Sequence, residues 1–133
     1  MNAKQIMEDV ARTRENFKVS THRLWDYLDE KNQLRDPLDA PSLGAEGEIL
    51  LELAHISARR ELEARNLAET LIERLEDERS RTILRLRYMD GLSWELIRVF
   101  FEDIDQPICQ RHIFRIHAKA MDDINAMLNE LTP

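Results

Sequence analysis

Between Gln110 and Lys119 the chain places Gln110, Arg111, His112, Arg115 and Lys119 close together. Arginine carries a planar fork of donors that fits the major-groove edge of guanine, and glutamine fits that of adenine. On a helix turning about 100° per residue, with Ile113, Ala120 and Ile124 taken as the buried side, Arg111 and Arg115 point away from the core, one turn apart. His112 and Lys119 then lie on one flank, and Gln110 and Phe114 on the other. Such positions suit contact with base edges, while Arg85, Arg87 and Lys119 suit phosphates. Arginines can equally be solvated charge on an exposed face, so these side chains alone leave both readings open.

Other chemistries are poorly supplied. Asp105, Cys109 and His112 follow at i, i+4 and i+7, but a structural metal site asks for about four ligands. A Cys109–His112 nucleophile pair lacks a third, orienting group. The carboxylates of residues 1–78 alternate with basic residues, as solvated helix faces do, and form no acid–base pair. No glycine-rich run cradles a phosphate. The expectation is a protein that is not an enzyme and needs no cofactor or metal. One cysteine excludes an internal disulfide and points to a reducing compartment. The apolar stretches, such as Ile49 to Leu51 and Val99 to Phe101, are too short to cross a bilayer. The mixed-charge N-terminus is unlike a signal peptide. A cytoplasmic protein with no membrane partner is therefore expected.

The elements that must position these residues are helical. The 133 residues hold only 3 Gly, 4 Pro and 8 aromatics, with 34% charged and 43% hydrophobic residues. That composition suits long helices and disfavours sandwiches, barrels and doubly wound folds. The net charge of −7 argues against indiscriminate coating of nucleic acid. Its distribution is uneven: residues 1–78 carry 11 basic and 18 acidic groups, residues 79–119 carry 8 and 5, and residues 120–133 carry none and 3. A basic island thus lies within an acidic chain.

From Asn2 to about Leu34 there is no Gly or Pro, and Ile6, Val10, Thr13, Phe17, Ser20, Leu24 and Leu28 recur at helical spacing. This predicts a helix about 50 Å long that buries Phe17, Leu24 and Trp25 against a partner. Pro37, Pro41 and Gly44 mark a linker over 36–45. A second helix is expected from near Ala45 to about Leu75, burying Ile49, Leu50, Leu53, Ile56, Ala64, Leu67, Ala68, Leu71 and Leu75. The simplest arrangement is an antiparallel hairpin over 1–77 that self-associates in coiled-coil fashion. Residues 78–133 read as three shorter helices. The first, 78–89, stops at Asp90-Gly91; the second starts at Trp94 behind a Ser93 cap with a Leu92–Ile97 staple. The third starts at Pro107 and runs to about Leu131.

The run Leu84-Arg-Leu-Arg87-Tyr88-Met-Asp-Gly91-Leu-Ser93-Trp94-Glu95-Leu-Ile97 resembles the L-x-x-R-Y-x-x-G-x-S-W-x-x-I run of phage regulators with a sigma-factor-like helix-turn-helix. These include the RinA and ArpU type late-gene regulators. Arg115-Ile-His117-Ala-Lys-Ala120-Met resembles the R-x-H-x-x-A-L close of that domain. The resemblance covers about residues 79–128. Two departures are visible: a longer stretch between Trp94 and His117, with Phe100 to Gln106 as the insertion, and Arg98 where a small residue normally follows Ile97.

The resemblance implies an all-α chain in which a long helical hairpin precedes a three-helix domain like region 4 of sigma factors. It implies a sequence-specific regulator of late or packaging genes in a bacterial host cell. The partners would be double-stranded DNA, RNA polymerase and a second copy of the chain, with a dimer as first expectation. The DNA-binding set would be Gln110, Arg111, His112, Arg115, Lys119, Arg85 and Arg87. Two alternatives share the sequence features: a packaging component of the small-terminase class, and a protein that binds sigma factor or polymerase without reading DNA.

Overall fold

The computed structural model describes residues 1–30 and 44–131, and every regular element among them is helical. In chain order these are α1 (Ala3–Glu30), α2 (Gly44–Glu73), α3 (Glu78–Leu84), a π-turn (Arg85–Met89), α4 (Trp94–Asp103) and α5 (Gln110–Leu131). Most of the linker expected over 36–45 lies outside the described residues; its last two positions already belong to α2. No described helix is long and apolar enough to cross a membrane.

The chain packs as two compact units, Arg12–Glu63 and Met1–Ala11 with Ala64–Pro133. In the first, α1 and α2 run antiparallel. Ser20 Oγ lies 2.9 Å from Ser57 Oγ, and the Tyr27 hydroxyl stands 3.6 Å from where a Cβ on Gly44 would lie. The expected α1 stripe is half-buried at Thr13, Phe17, Ser20, Leu24 and Leu28. Trp25 is not part of it: this residue is 54% exposed. The seam on α2 also differs from expectation. Gly47 and Ala54 are buried; Leu50 and Ile56, as expected, are half-buried together with Ser57 and Ala58; Ile49 and Leu53 are exposed. The physical reason is size. Helices that meet through Gly, Ala and Ser approach closely, and the bulkier residues are turned outward. Gly47, Ala54 and the half-buried Glu61 recur every seven residues, the period of a left-handed coiled coil.

The second unit has two cores. Ala3, Ile6, Met7 and Val10 of α1 pack with Ala68, Leu71, Ile72 and Leu75 of the α2 end, and with Leu84, Met89, Ala120 and Ile124. Leu67, expected in this set, is 45% exposed. Ile83, Ile97, Phe101, Ile108 and Ile113 form the other core, with Leu86, Leu92 and Trp94 against it. The first eleven residues thus share a core with α5 rather than with their own helix alone.

Local signals explain the short helices. Asp77 caps α3: its carboxylate accepts from the Ser80 backbone N–H at 3.2 Å and from Ser80 Oγ at 2.8 Å. These bonds hold its pKa below the usual aspartate value. Arg81 donates to the carbonyls of Leu75, at 2.5 Å, and Glu76, at 3.1 Å. It thereby satisfies acceptors left open where α2 ends. Gly91 takes the left-handed conformation expected of it, at φ 70°, and Ser93 Oγ accepts from the Leu96 N–H at 3.2 Å. The stop differs in form from a simple α-helical end. The Asp90 N–H bonds the Arg85 carbonyl and the Leu92 N–H the Leu86 carbonyl, so the helix widens into the π-turn before it turns.

The last helix begins at Gln110, three residues after Pro107. Asp105 adopts φ 58° and, with the Gln106 N–H donating to the Phe101 carbonyl at 2.9 Å, closes α4 in a left-handed cap. Residues 106–109 are then non-helical, and Ile108 reaches the core. Burying that side chain displaces the helix start expected at the proline.

Candidate nucleic-acid interface

α5 is held by two of its sides. Ile113, Ala120 and Ile124 are fully buried, as the assumed helix register requires. A second set of contacts fixes its rotation: Tyr88 Oη lies 2.8 Å from His117 Nε2, and the Trp94 ring meets His117 edge-on at 5.0 Å and Phe114 edge-on at 5.1 Å. The Arg87 guanidinium lies over Trp94, 4.5 Å from the ring centre, and donates to the Leu92 carbonyl at 3.0 Å. The π-turn lets neighbouring Arg87 and Tyr88 reach the α4 start and α5 respectively.

This cluster joins residues of the quoted motif, but their mutual contact was not visible in helical spacing. Phe101 is core, at 1% exposure, whereas Tyr88 and Trp94 are half-buried. Burial, with the Arg87 charge adding to it, holds the His117 pKa below its ordinary value. Desolvation raises that of Tyr88. With a neutral imidazole, the Tyr88 hydroxyl can donate to Nε2.

What α5 leaves in solvent is a row of polar and basic side chains. Arg111, His112, Arg115 and Lys119 are exposed, and Gln110 is half-buried in the first turn. Among the described residues Arg111 and Arg115 have no hydrogen-bond or ion-pair partner. The later start of α5 puts Gln110 and Arg111 at the helix N-terminus, where the helix dipole adds positive potential. Further along come Asp122, Asp123 and Glu130. An anionic surface is therefore attracted to the N-terminal half of α5 and repelled by the other half.

The remaining cations of the predicted set are placed differently. Lys119 borders a groove of about 560 Å³ with Arg74, Asp77, Ser80 and Asp123, where its charge lowers the Asp77 pKa. Arg85 is half-buried and paired with Glu69 of α2, at 2.6 Å. Arg87 is committed to Trp94 and Leu92. The structure thus brings Gln110, Arg111, His112 and Arg115 together on the N-terminal half of α5, while Arg85 and Arg87 are engaged within the protein. Arg98 lies along the surface of its own helix. It pairs with Glu95 at 2.5 Å and with Glu102; these carboxylates raise its pKa, and Arg98 in turn lowers that of Glu95.

No protein-family model, characterised protein or solved structure matches the chain. The likeness to phage regulators rests on the residues quoted for it.

Proposed function

We propose that this chain is a sequence-reading DNA-binding protein, a transcription regulator of the phage late-gene kind, which sets the N-terminal half of α5 into the major groove. The observation that carries the reading is the pair Arg111 and Arg115. They are exposed, without a protein partner among the described residues, and one turn apart on a helix whose rotation is fixed by Trp94, Tyr88 and His117. Helices that read DNA commonly present base-contacting side chains from their N-terminal turns. Gln110 and His112 flank the pair, and Lys119 is the phosphate contact on the side. Arg85 and Arg87 serve chiefly to hold the domain together. No enzymatic step is part of the proposal.

The working unit we propose is a homo-oligomer, a dimer in its simplest form. Its support is the apolar row Ile49, Leu53 and half-buried Ile56 on α2. RNA polymerase is the further partner that a regulator of this kind would contact.

The test is selection of bound genomic fragments, followed by fluorescence anisotropy on a selected and a scrambled duplex over a salt series. Arg111→Ala and Arg115→Ala should each cost about 1–3 kcal/mol on the selected duplex. Lys119→Ala should weaken both duplexes alike and lower the salt slope by about one ion. Equal binding to both duplexes, unaltered in the arginine variants, would favour the reading as a polymerase- or sigma-binding protein.

A further inference from the structure

Phe114 is the large side chain of the α5 N-terminal half that the core does not use. It is 43% exposed, although it stands three residues after Arg111 and directly before Arg115. The Trp94 ring, its centre 5.1 Å from that of Phe114 and its plane at 82°, gives the ring a fixed seat. Four residues on, the Ala118 side chain is also exposed. On a helix, positions four apart line up. The outward side of α5 therefore carries two neighbouring rows, Arg111 with Arg115 and Phe114 with Ala118. One is cationic with forked donors; the other is apolar and offers no hydrogen bond.

In the major groove the apolar group offered by the base pairs is the 5-methyl of thymine, and small apolar or aromatic side chains are what meet it. We infer that Phe114, with Ala118 beside it, reads a thymine methyl next to the base pairs that Arg111 and Arg115 contact. The site this chain prefers therefore contains guanine and thymine at adjoining positions. The inference rests on the DNA-reading proposal and adds to it a residue outside the charged set and a chemical feature of the ligand.

The test removes the methyl group alone. In the selected duplex each thymine is replaced singly by deoxyuridine, which keeps the base pair, and binding is measured by anisotropy with the full-length protein. At one position, or two adjacent ones, the wild-type protein should lose about fourfold in affinity, the worth of one buried methyl. Phe114→Ala should bind the parent duplex more weakly and no longer distinguish deoxyuridine from thymine there. Phe114→Leu, which keeps an apolar side chain against Trp94, should retain part of the discrimination.

Three results would overturn the inference. Arg111→Ala weakens the selected duplex but no deoxyuridine position matters to the wild type; the discrimination persists undiminished in Phe114→Ala; or the selected half-site holds no thymine. Each leaves the arginine reading intact. Equal affinity of the wild type for selected and scrambled duplexes overturns the inference and the DNA-reading proposal together.

Discussion

The two compact units differ in how fully they enclose their large apolar residues. In the unit of Met1–Ala11 and Ala64–Pro133, Phe101, Met7, Ile72, Ile83, Ile97, Ile113 and Ile124 are fully enclosed. In the unit of Arg12–Glu63, buried Gly47 and Ala54 and the Ser20–Ser57 hydrogen bond occupy the seam, while Val19, Trp25, Ile49, Leu53 and Leu62 stand exposed. The first pattern is that of a core closed on itself. The second leaves apolar surface available for association, and a two-helix stretch with a small-residue seam gains little from burial. Leucines and isoleucines are thus mostly enclosed in one unit and at most half-buried in the other, among the described residues.

The strongest way to break this contrast is at Phe101. Phe101→Ala should destabilise the protein by about 3–5 kcal/mol, read by chemical denaturation. A cost below about 1 kcal/mol would mean that the enclosed core is not where the stability lies. Next is the π-turn exit. Gly91 sits at φ 70°, so Gly91→Val should cost on the order of 1–2 kcal/mol or more, seen as a lower melting temperature. An unchanged melting temperature would remove the left-handed stop.

A smaller effect concerns pH. The groups facing His117 are Tyr88 and Arg87 from the π-turn and Trp94 from α4, and the folded state holds the imidazole pKa below its ordinary 6.5. Below that pH the unfolded chain binds a proton more readily than the folded one. Stability is therefore complete above about pH 6.5 and declines as the pH falls through the folded value. His117→Gln should flatten this decline, measured as melting temperature against pH.

The smallest change in folding stability is expected at Ile49 and Leu53. The double change to Lys should stay within about 0.5 kcal/mol in monomer stability and yet yield a lower-order species in analytical ultracentrifugation. Deleting α1 would be a poorer test of association, since Ile6, Met7 and Val10 belong to the enclosed core. An unchanged sedimentation coefficient would count against the exposed row as the assembly surface.

Much of the helical order was legible in the chain. Scarce Gly and Pro, a stripe of steps of three and four, and the Ser93 and Gly91 signals predicted α1, α2 and the start of α4, because these depend on neighbours in sequence. The register of α5 was equally readable from Ile113, Ala120 and Ile124. What escaped depended on packing. Large residues looked like the seam of α2, and periodicity does not show that Gly47 and Ala54 are its most buried positions. Pro107 looked like a helix start, but the need to bury Ile108 overrode it. Of the candidate interface, the outward position of Arg111 and Arg115 followed from the helix angle alone. The pairing of Arg85 with Glu69 and the approach of His117 to Arg87, Tyr88 and Trp94 join residues distant in sequence, and no local pattern announces them.

The sequence of charges on α5 has a consequence for the approach to a ligand. The helix is about 33 Å long for its 22 residues, cationic at Arg111, Arg115 and Lys119 and anionic at Asp122, Asp123 and Glu130. Taken by itself, it is a rod with opposite poles. Near a polyanion such a rod experiences a torque as well as an attraction, and it turns its leading end forward before contact. For the DNA-reading proposal this means that the end bearing Arg111 and Arg115 is the one a phosphate backbone draws in.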